Sequence, residues 1–498
     1  MSDLLAGAGV VLAALASAAA ILLPPSRSRS AAMIGALVLC PLLILGDQWH
    51  SHQIADLRDS TGRVVALLAV GAVAVAALAA IFRRWPWLVP LAIVAALPFR
   101  VPLHSGGDTA NLLVPLYLVI AAAVLATALR DWTAPPPSRG RRRGPVLWLP
   151  RLLAVFVVLY ALQALYSEDF SKGLQNACFF LVPFTVAYAL LTDVDWDRRL
   201  LSWTLVLVAV EAVLFVLVGS VEYVTRELFW NDAVIRSNAF HTYFRVNSVF
   251  WDPNVYGRYL ALVLVVVTTA LLYVKERRPF WLLAGTILVL WIGLAQTFSQ
   301  SSFIALLAGL AVLAALRWSW RWTLAAVVVG AIGAVLVVIL IGGKGVNFNR
   351  LNVDTSGRAD LVSGGLDLFA ERPLQGYGSG SFQRAYREHR AEEKAPVTIS
   401  HTEPITVAAE QGLVGLAAYV ALIVVAIWTM AAGMWSRASG REPTVFDAAR
   451  AAVLAAFVAL LLHTLAYAGF IEDPITWVLL AVGASLAAHR AGAIRTPA

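Results

Sequence analysis

Residues 254–297 read NVYGRYLALVLVVVTTALLYVKERRPFWLLAGTILVLWIGLAQT. Two apolar runs flank a short basic turn, KERR, at residues 275–278. A bilayer core of roughly 30 Å needs about 20 apolar residues per helix, and each run supplies them. The stretch therefore reads as two membrane helices joined by a charged turn. The rest of the chain repeats the pattern. Of 498 residues, 60% are hydrophobic and the mean hydropathy is +0.76. Only 14% are charged, against about a quarter in a soluble protein. The chain reads as an all-α polytopic membrane protein. Apolar segments fall near 4–23, 31–46, 64–82, 87–99, 111–129, 151–166, 172–191, 200–219, 254–274, 280–297, 301–316, 322–341, 404–432, 447–466 and 474–489. About 13–15 transmembrane helices are expected; the shortest segments could be re-entrant or tilted. The first segment lacks a basic start and precedes further spans, so it reads as a retained helix and not a cleaved signal. Cys40 and Cys178 both lie in predicted helices, which argues against a disulfide framework and excludes a cysteine metal cluster.

Positive charge in short loops fixes orientation. Alternate threading puts SRSRS (26–30), FRR (82–84), RGRRR (139–143), DRR (197–199), KERR, RWSWR (317–321), SRASGR (436–441) and the tail after His489 on one side. That side is expected to be cytoplasmic. Across the membrane, Arg58, Arg63, Arg100 and Lys172 are scattered in short loops, but two longer regions are basic. Residues 220–258 hold Arg226, Arg236, Arg245 and Arg258. Residues 342–401 hold Lys344, Arg350, Arg358, Arg372, Arg384, Arg387, Arg390 and Lys394. Long loops translocate whatever their charge. The sharper reading is an external surface that binds an anion, for which the arginine fork is suited. The expected organisation is N-terminal transmembrane helices over 1–129 and a cytoplasmic basic linker over 130–150. Central helices follow over 151–341 with an external loop at 220–250, then an external catalytic loop over 342–403 and C-terminal helices over 404–498.

The second basic region contains SGRADLVSGGLDLFAERPLQGYGSGSF, residues 356–382. Leu361, Val362, Leu366, Leu368 and Phe369 suit a helix lying along the membrane surface, and Pro373 prevents its continuation. Gly376, Gly378 and Gly380 then surround Tyr377. Glycines allow tight turns that aim N–H groups at an anion, although such turns are common after helices. Further on, SHTEPITVAAEQGLVGL (400–416) sets His401 and Glu403 at the mouth of an apolar segment, with Glu410 seven residues deeper on the same face.

Gly357-Arg358, Pro373 to Phe382, and His401 to Gly415 together resemble the O-antigen ligase and polymerase family of bacterial membrane glycosyltransferases. Other parts agree: LPFRVPL (97–103), NLLVPLYL (111–118), RVNSVFWDPNVYGRYLAL (245–262) and LLHTLAYAGFIEDPITWVLLAVG (461–483). The resemblance covers most of residues 85–485 and is most specific over 357–415. It implies a GT-C-like helical body with a large external loop, needing no metal or other cofactor. It also implies a polyprenyl-diphosphate-linked glycan donor, a lipid or glycan acceptor, membrane lipids as surroundings and no nucleic acid. The location implied is the bacterial cytoplasmic (inner) membrane, with the active site facing outside. The family's loop histidine maps onto His401 and its arginines onto Arg245 and Arg358. Two positions depart: Thr402 stands where the family often has Asn, and Gln300 where it often has a phosphate-associated Arg, a loss that Arg245 or Arg258 could compensate.

These residues suggest a chemistry. An acceptor hydroxyl attacks the anomeric carbon, histidine takes its proton, and arginines stabilise the departing diphosphate. His401 and Glu403 are the catalytic candidates. Arg245, Arg258 and Arg358 are the diphosphate candidates, and Tyr377, Glu410 and Gln300 are supporting ones. Each has a plainer reading. Glu403 suits the positive end of its own helix. Glu410 could make a structural hydrogen bond. Tyr377 reads as packing. Asp252 and Asn254 read as caps, Glu472 and Asp473 as the start of the last helix, and Glu211 and His463 as buried polar partners. Asp193-Val194-Asp195 mimics a metal-binding Asp-x-Asp, but its predicted side is cytoplasmic. The alternative functions are a polysaccharide polymerase of the same family and a polysaccharide or solute transporter. Transporters usually show internal repeats and midplane polar sites, and no repeat is visible here.

Overall fold

The computed structural model describes residues 3–49, 61–105, 108–133, 147–229, 231–240, 243–329, 358–389, 402–434 and 444–493. The first spans are α1 (Asp3–Leu22), α2 (Arg27–Asp47) and α3 (Thr61–Arg84). After the short α4 (Leu88–Ala96), strands β1 (Val101–Ser105) and β2 (Asp108–Leu112) pair antiparallel, Val101 opposite Leu112. This hairpin is the single departure from an all-helical chain among the described residues. The bundle continues with α5 (Val114–Thr133), α6 (Trp148–Ala164), α7 (Phe170–Asn176) and α8 (Val182–Thr192); a π-turn at Ala177–Leu181 joins the last two. Then come α9 (Arg198–Thr225), the loop helix α10 (Asp232–Phe240), α11 (Pro253–Tyr273), α12 (Arg277–Thr297), α13 (Gln300–Arg317) and α14 (Trp320–Val329). The loop helices α15 (Arg358–Glu371) and α16 (Phe382–His389) precede the closing spans α17 (Glu403–Ala431), α18 (Val445–Thr464) and α19 (Pro474–Ala493). Among the described residues, eleven helices are long and apolar enough to cross a membrane, and three shorter apolar helices accompany them. The protein is a polytopic, helical, multi-pass membrane protein.

Helix ends follow local chemistry. Asp197 begins α9 by accepting the Leu200 N–H at 2.7 Å, and Asp252 begins α11 by accepting those of Asn254 and Val255. Thr444 and Asp447 form a reciprocal capping box at the start of α18. Long-range bonds fix which ends lie together. At one end of the bundle, Arg29 pairs with Asp193, Ser30 donates to Asp131, and Ser485 donates to the Val194 carbonyl. The Asp-x-Asp therefore serves a structural ion pair. At the other end, Ser171 donates to Asp47 at 2.6 Å, Thr402 donates to the Leu465 carbonyl, and Ser301 pairs with His463. The candidate functional residues lie at this second end.

Candidate functional site

The stretch opened by Thr402 does not make one continuous helix. Gly412, inside α17, has φ +62° and ψ −163°, a backbone that is essentially glycine-only. The break releases the Ala409 and Glu410 carbonyls and the Leu413 amide from the helix ladder. Segment 373–378 takes them up. Tyr377 N–H donates to the Ala409 carbonyl at 3.1 Å, Gly378 N–H to the Glu410 carbonyl at 2.7 Å, and Leu413 N–H to the Pro373 carbonyl at 2.7 Å. The two glycine-containing motifs of the sequence are thus a single interlocked unit.

Its far side is held as tightly. A Cβ on Gly378 would lie 2.2 Å from Ser167 Cα, and one on Gly380 2.6 Å from the Gly173 nitrogen. Ser379 Oγ donates to the Tyr160 carbonyl, and Tyr166 OH to that of Gln375. The loop is sandwiched between α17 and the α6–α7 junction. The glycine amides do not form an anion cradle. The N–H groups of residues 376, 377, 378, 380, 381 and 382 all donate to protein acceptors. The glycines are needed for positive φ and close approach, so the phosphate reading of this loop is corrected.

Glu410 is the clasp. Its two carboxylate oxygens accept the Gly380 N–H at 2.8 Å and the Phe382 N–H at 3.1 Å, where α16 begins. Glu403 does more than sit on its own helix end. One of its oxygens accepts the amides of Gly469 at 2.8 Å and Phe470 at 3.2 Å, tying the start of α17 to the segment before α19. Both carboxylates are buried and line one cavity of about 130 Å³, with Tyr160, Lys172, Asn176 and Glu472 among the other walls.

Glu472 leads to a second cluster. Its neighbour Asp473 faces Arg258 Nη2 at 2.7 Å, both side chains being 4% exposed, and also accepts the Ile475 N–H to start α19. Arg258 Nε and Nη1 are buried without a protein partner. Arg100, just before β1, lies within electrostatic reach of Arg258, Glu472 and Asp473. Two arginines and two carboxylates thus share one region between α4, α11 and α19.

Arg245 belongs to a different network. Its Nε donates to the Thr297 carbonyl and its Nη2 to Asn254 Oδ1, both at 2.9 Å, while the Asn238 side chain brackets its backbone. Ser299 Oγ donates to the same Asn254 oxygen, and Ser299, Ser301 and Ser302 continue the chain to His463 Nε2. Asn254 is therefore a bridge as well as a cap neighbour. Gln300 starts α13 exposed to the surroundings. Tyr377 is 1% exposed and donates to Glu371 at 2.5 Å beneath the Arg372 guanidinium; burial, then the Glu371 contact, pushes its phenol up to about 12. Its ring lies in a buried cluster with Leu368, Phe382 and Tyr386. Arg358 is the first residue of α15, and His401 lies outside the described residues.

Residues 285–420 match the family model described as O-Antigen ligase. The chain carries an O-antigen ligase family domain. This domain holds α13, the loop helices, the glycine clasp and the break at Gly412; Arg245, Gly469 and Phe470 bond to it from outside. No curated protein matches the chain. Sequence reasoning missed Tyr160, Asn176 and Lys172 as cavity walls, because only folding brings α6 and α7 to the O-antigen ligase domain. It also missed Glu222, whose carboxylate accepts the amides of Asn247 and Ser248 and shapes the turn after Arg245. An ionisable residue within an apolar run was the available signal for Glu222.

Proposed function

We propose that the protein is a glycosyltransferase that moves a glycan from a polyprenyl diphosphate to an acceptor hydroxyl, on the external face of the bacterial cytoplasmic membrane. The observation that supports this reading is the O-antigen ligase match over residues 285–420, together with an apolar cavity in the bundle that also contains the buried Arg258–Asp473 pair. The cavity, about 810 Å³, lies among α9, α11, α12, α18 and α19, and its walls include Leu97, Tyr259 and Ile475. Tyr259 is next in sequence to Arg258, and Ile475 lies two residues after Asp473. A long isoprenoid suits the apolar walls, and a diphosphate suits arginines at low dielectric.

The reaction breaks the bond between the anomeric carbon and the diphosphate oxygen. The acceptor hydroxyl oxygen attacks that carbon, and its proton passes to a base. His401 is assigned as the base because an imidazole titrates near neutral pH. The leaving diphosphate carries the departing electron pair, and Arg258, Arg100, Arg245 and Arg358 are the groups that would offset its charge. Glu403 and Glu410 tie the start of α17 to the segment before α19 and to the glycine loop.

The test is transfer from a polyprenyl-diphosphate glycan in membrane vesicles. His401→Ala and Arg358→Ala should each abolish transfer while membrane insertion stays normal. Wild-type transfer by both variants would overturn the mechanism.

A further inference from the structure

We infer that the cavity bounded by Glu403, Glu410 and Asn176 is a carbohydrate subsite that binds the hydroxyl edge of the acceptor sugar. The inference rests on the glycosyltransferase reading for the word acceptor, and on the cavity itself for the sugar. Its lining residues include three that carry carboxylates, Glu403, Glu410 and Glu472, and two that carry amides, Asn176 and Gln411. The last two are the informative ones. Asn176 is 8% exposed; its Nδ2 donates to Tyr160 OH at 3.1 Å, and its Oδ1 has no protein donor. Gln411 is 2% exposed, and its Oε1 likewise has no protein donor. A buried acceptor left unmade is costly, so two such acceptors on residues that line one cavity point to an occupant that brings donors.

Sugar hydroxyls meet this demand. Each donates one hydrogen bond and accepts others, and neighbouring carboxylate and amide oxygens can take several in a row. Leu181, Val407 and Ile471 supply apolar wall for the C–H face of a ring. A volume of about 130 Å³ is several times what one water needs. Lys172, exposed at the cavity wall, offsets part of the acidic charge. Glu403 also follows His401 by two residues, so a sugar bound here is close in the chain to the proposed base.

The experiment is saturation-transfer NMR on the full chain in lipid nanodiscs. The probes are methyl glucoside, methyl galactoside and methyl mannoside, with ethanolamine as the cationic comparison. Transfer to ring protons of at least one glycoside is expected. It should fall about tenfold in Asn176→Leu and in Gln411→Met, each of which removes one acceptor with little change in bulk. No glycoside signal above empty nanodiscs, binding of ethanolamine alone, or undiminished signals in both cavity variants would each overturn the subsite. Because the measurement needs no turnover, it is decided separately from glycan transfer. A His401→Ala protein that still transfers glycan sinks the mechanism and leaves the subsite to the NMR result.

Discussion

At the scale of single residues, the site depends on a few atoms in unusual positions. Gly412 combines a left-handed φ with a carbonyl where its Cβ would go, the Leu374 oxygen at 2.4 Å. Gly412→Ala is expected to cost about 1–3 kcal/mol in backbone strain before that clash is counted. The measurable outcome is a lower unfolding midpoint in detergent together with lost transfer; an unchanged midpoint would show that the break is not needed. Glu410→Gln tests the clasp more gently. The amide keeps one acceptor but turns an NH2 toward one of the two loop N–H donors, so one charge-assisted bond of about 1.5–3 kcal/mol is lost. Arg258→Ala leaves Asp473 buried without its cation, and a broken buried pair costs about 3–5 kcal/mol. Glu410 and Glu403 were legible in the sequence as ionisable groups at the mouth of an apolar segment. Their partners were not, because backbone amides of residues 380, 382, 469 and 470 carry no residue-type signature.

At the scale of elements, the amphipathic pattern over 358–370 foretold α15, and Pro373 foretold its end at Glu371. The apolar run over 404–432 foretold the extent of α17 but not its division. Hydrophobic periodicity reports which face is buried and is blind to one residue with positive φ. The interlock of 373–382 with α17 makes the two segments one cooperative unit. Hydrogen exchange tests this. The amides of residues 377, 378, 380, 382 and 413 should be protected to a common degree. Glu410→Ala should speed exchange across 373–389 by at least about tenfold, the equivalent of roughly 1.4 kcal/mol, and leave 416–431 unchanged. Faster exchange confined to residues 380 and 382 would show a local bond and no shared unit.

At the scale of the whole molecule, loop charge and long-range bonding agree on which ends belong together. Charge alternation groups SRSRS with DRR, and Arg29 bonds to Asp193 just before DRR. On the opposite end, Thr402, Leu465, Glu403 and Gly469 are joined directly. The pairing of ends was thus readable from Lys and Arg counts, whereas the cavity was not, since it needs α6, α7, α17 and the 468–472 segment to meet. Which end faces outward is the remaining step, and the positive-inside rule assigns it. Cysteine labelling from outside intact cells measures it. Arg387 is exposed on α16, so Arg387→Cys should react with a membrane-impermeant maleimide. Gly140→Cys, in the basic linker, should react only after the membrane is opened. Cys40 and Cys178 are 5% and 4% exposed and should stay silent in both. The reverse labelling would put the glycine clasp and its carboxylates on the cytoplasmic side, where an externally presented lipid-linked glycan could not reach them.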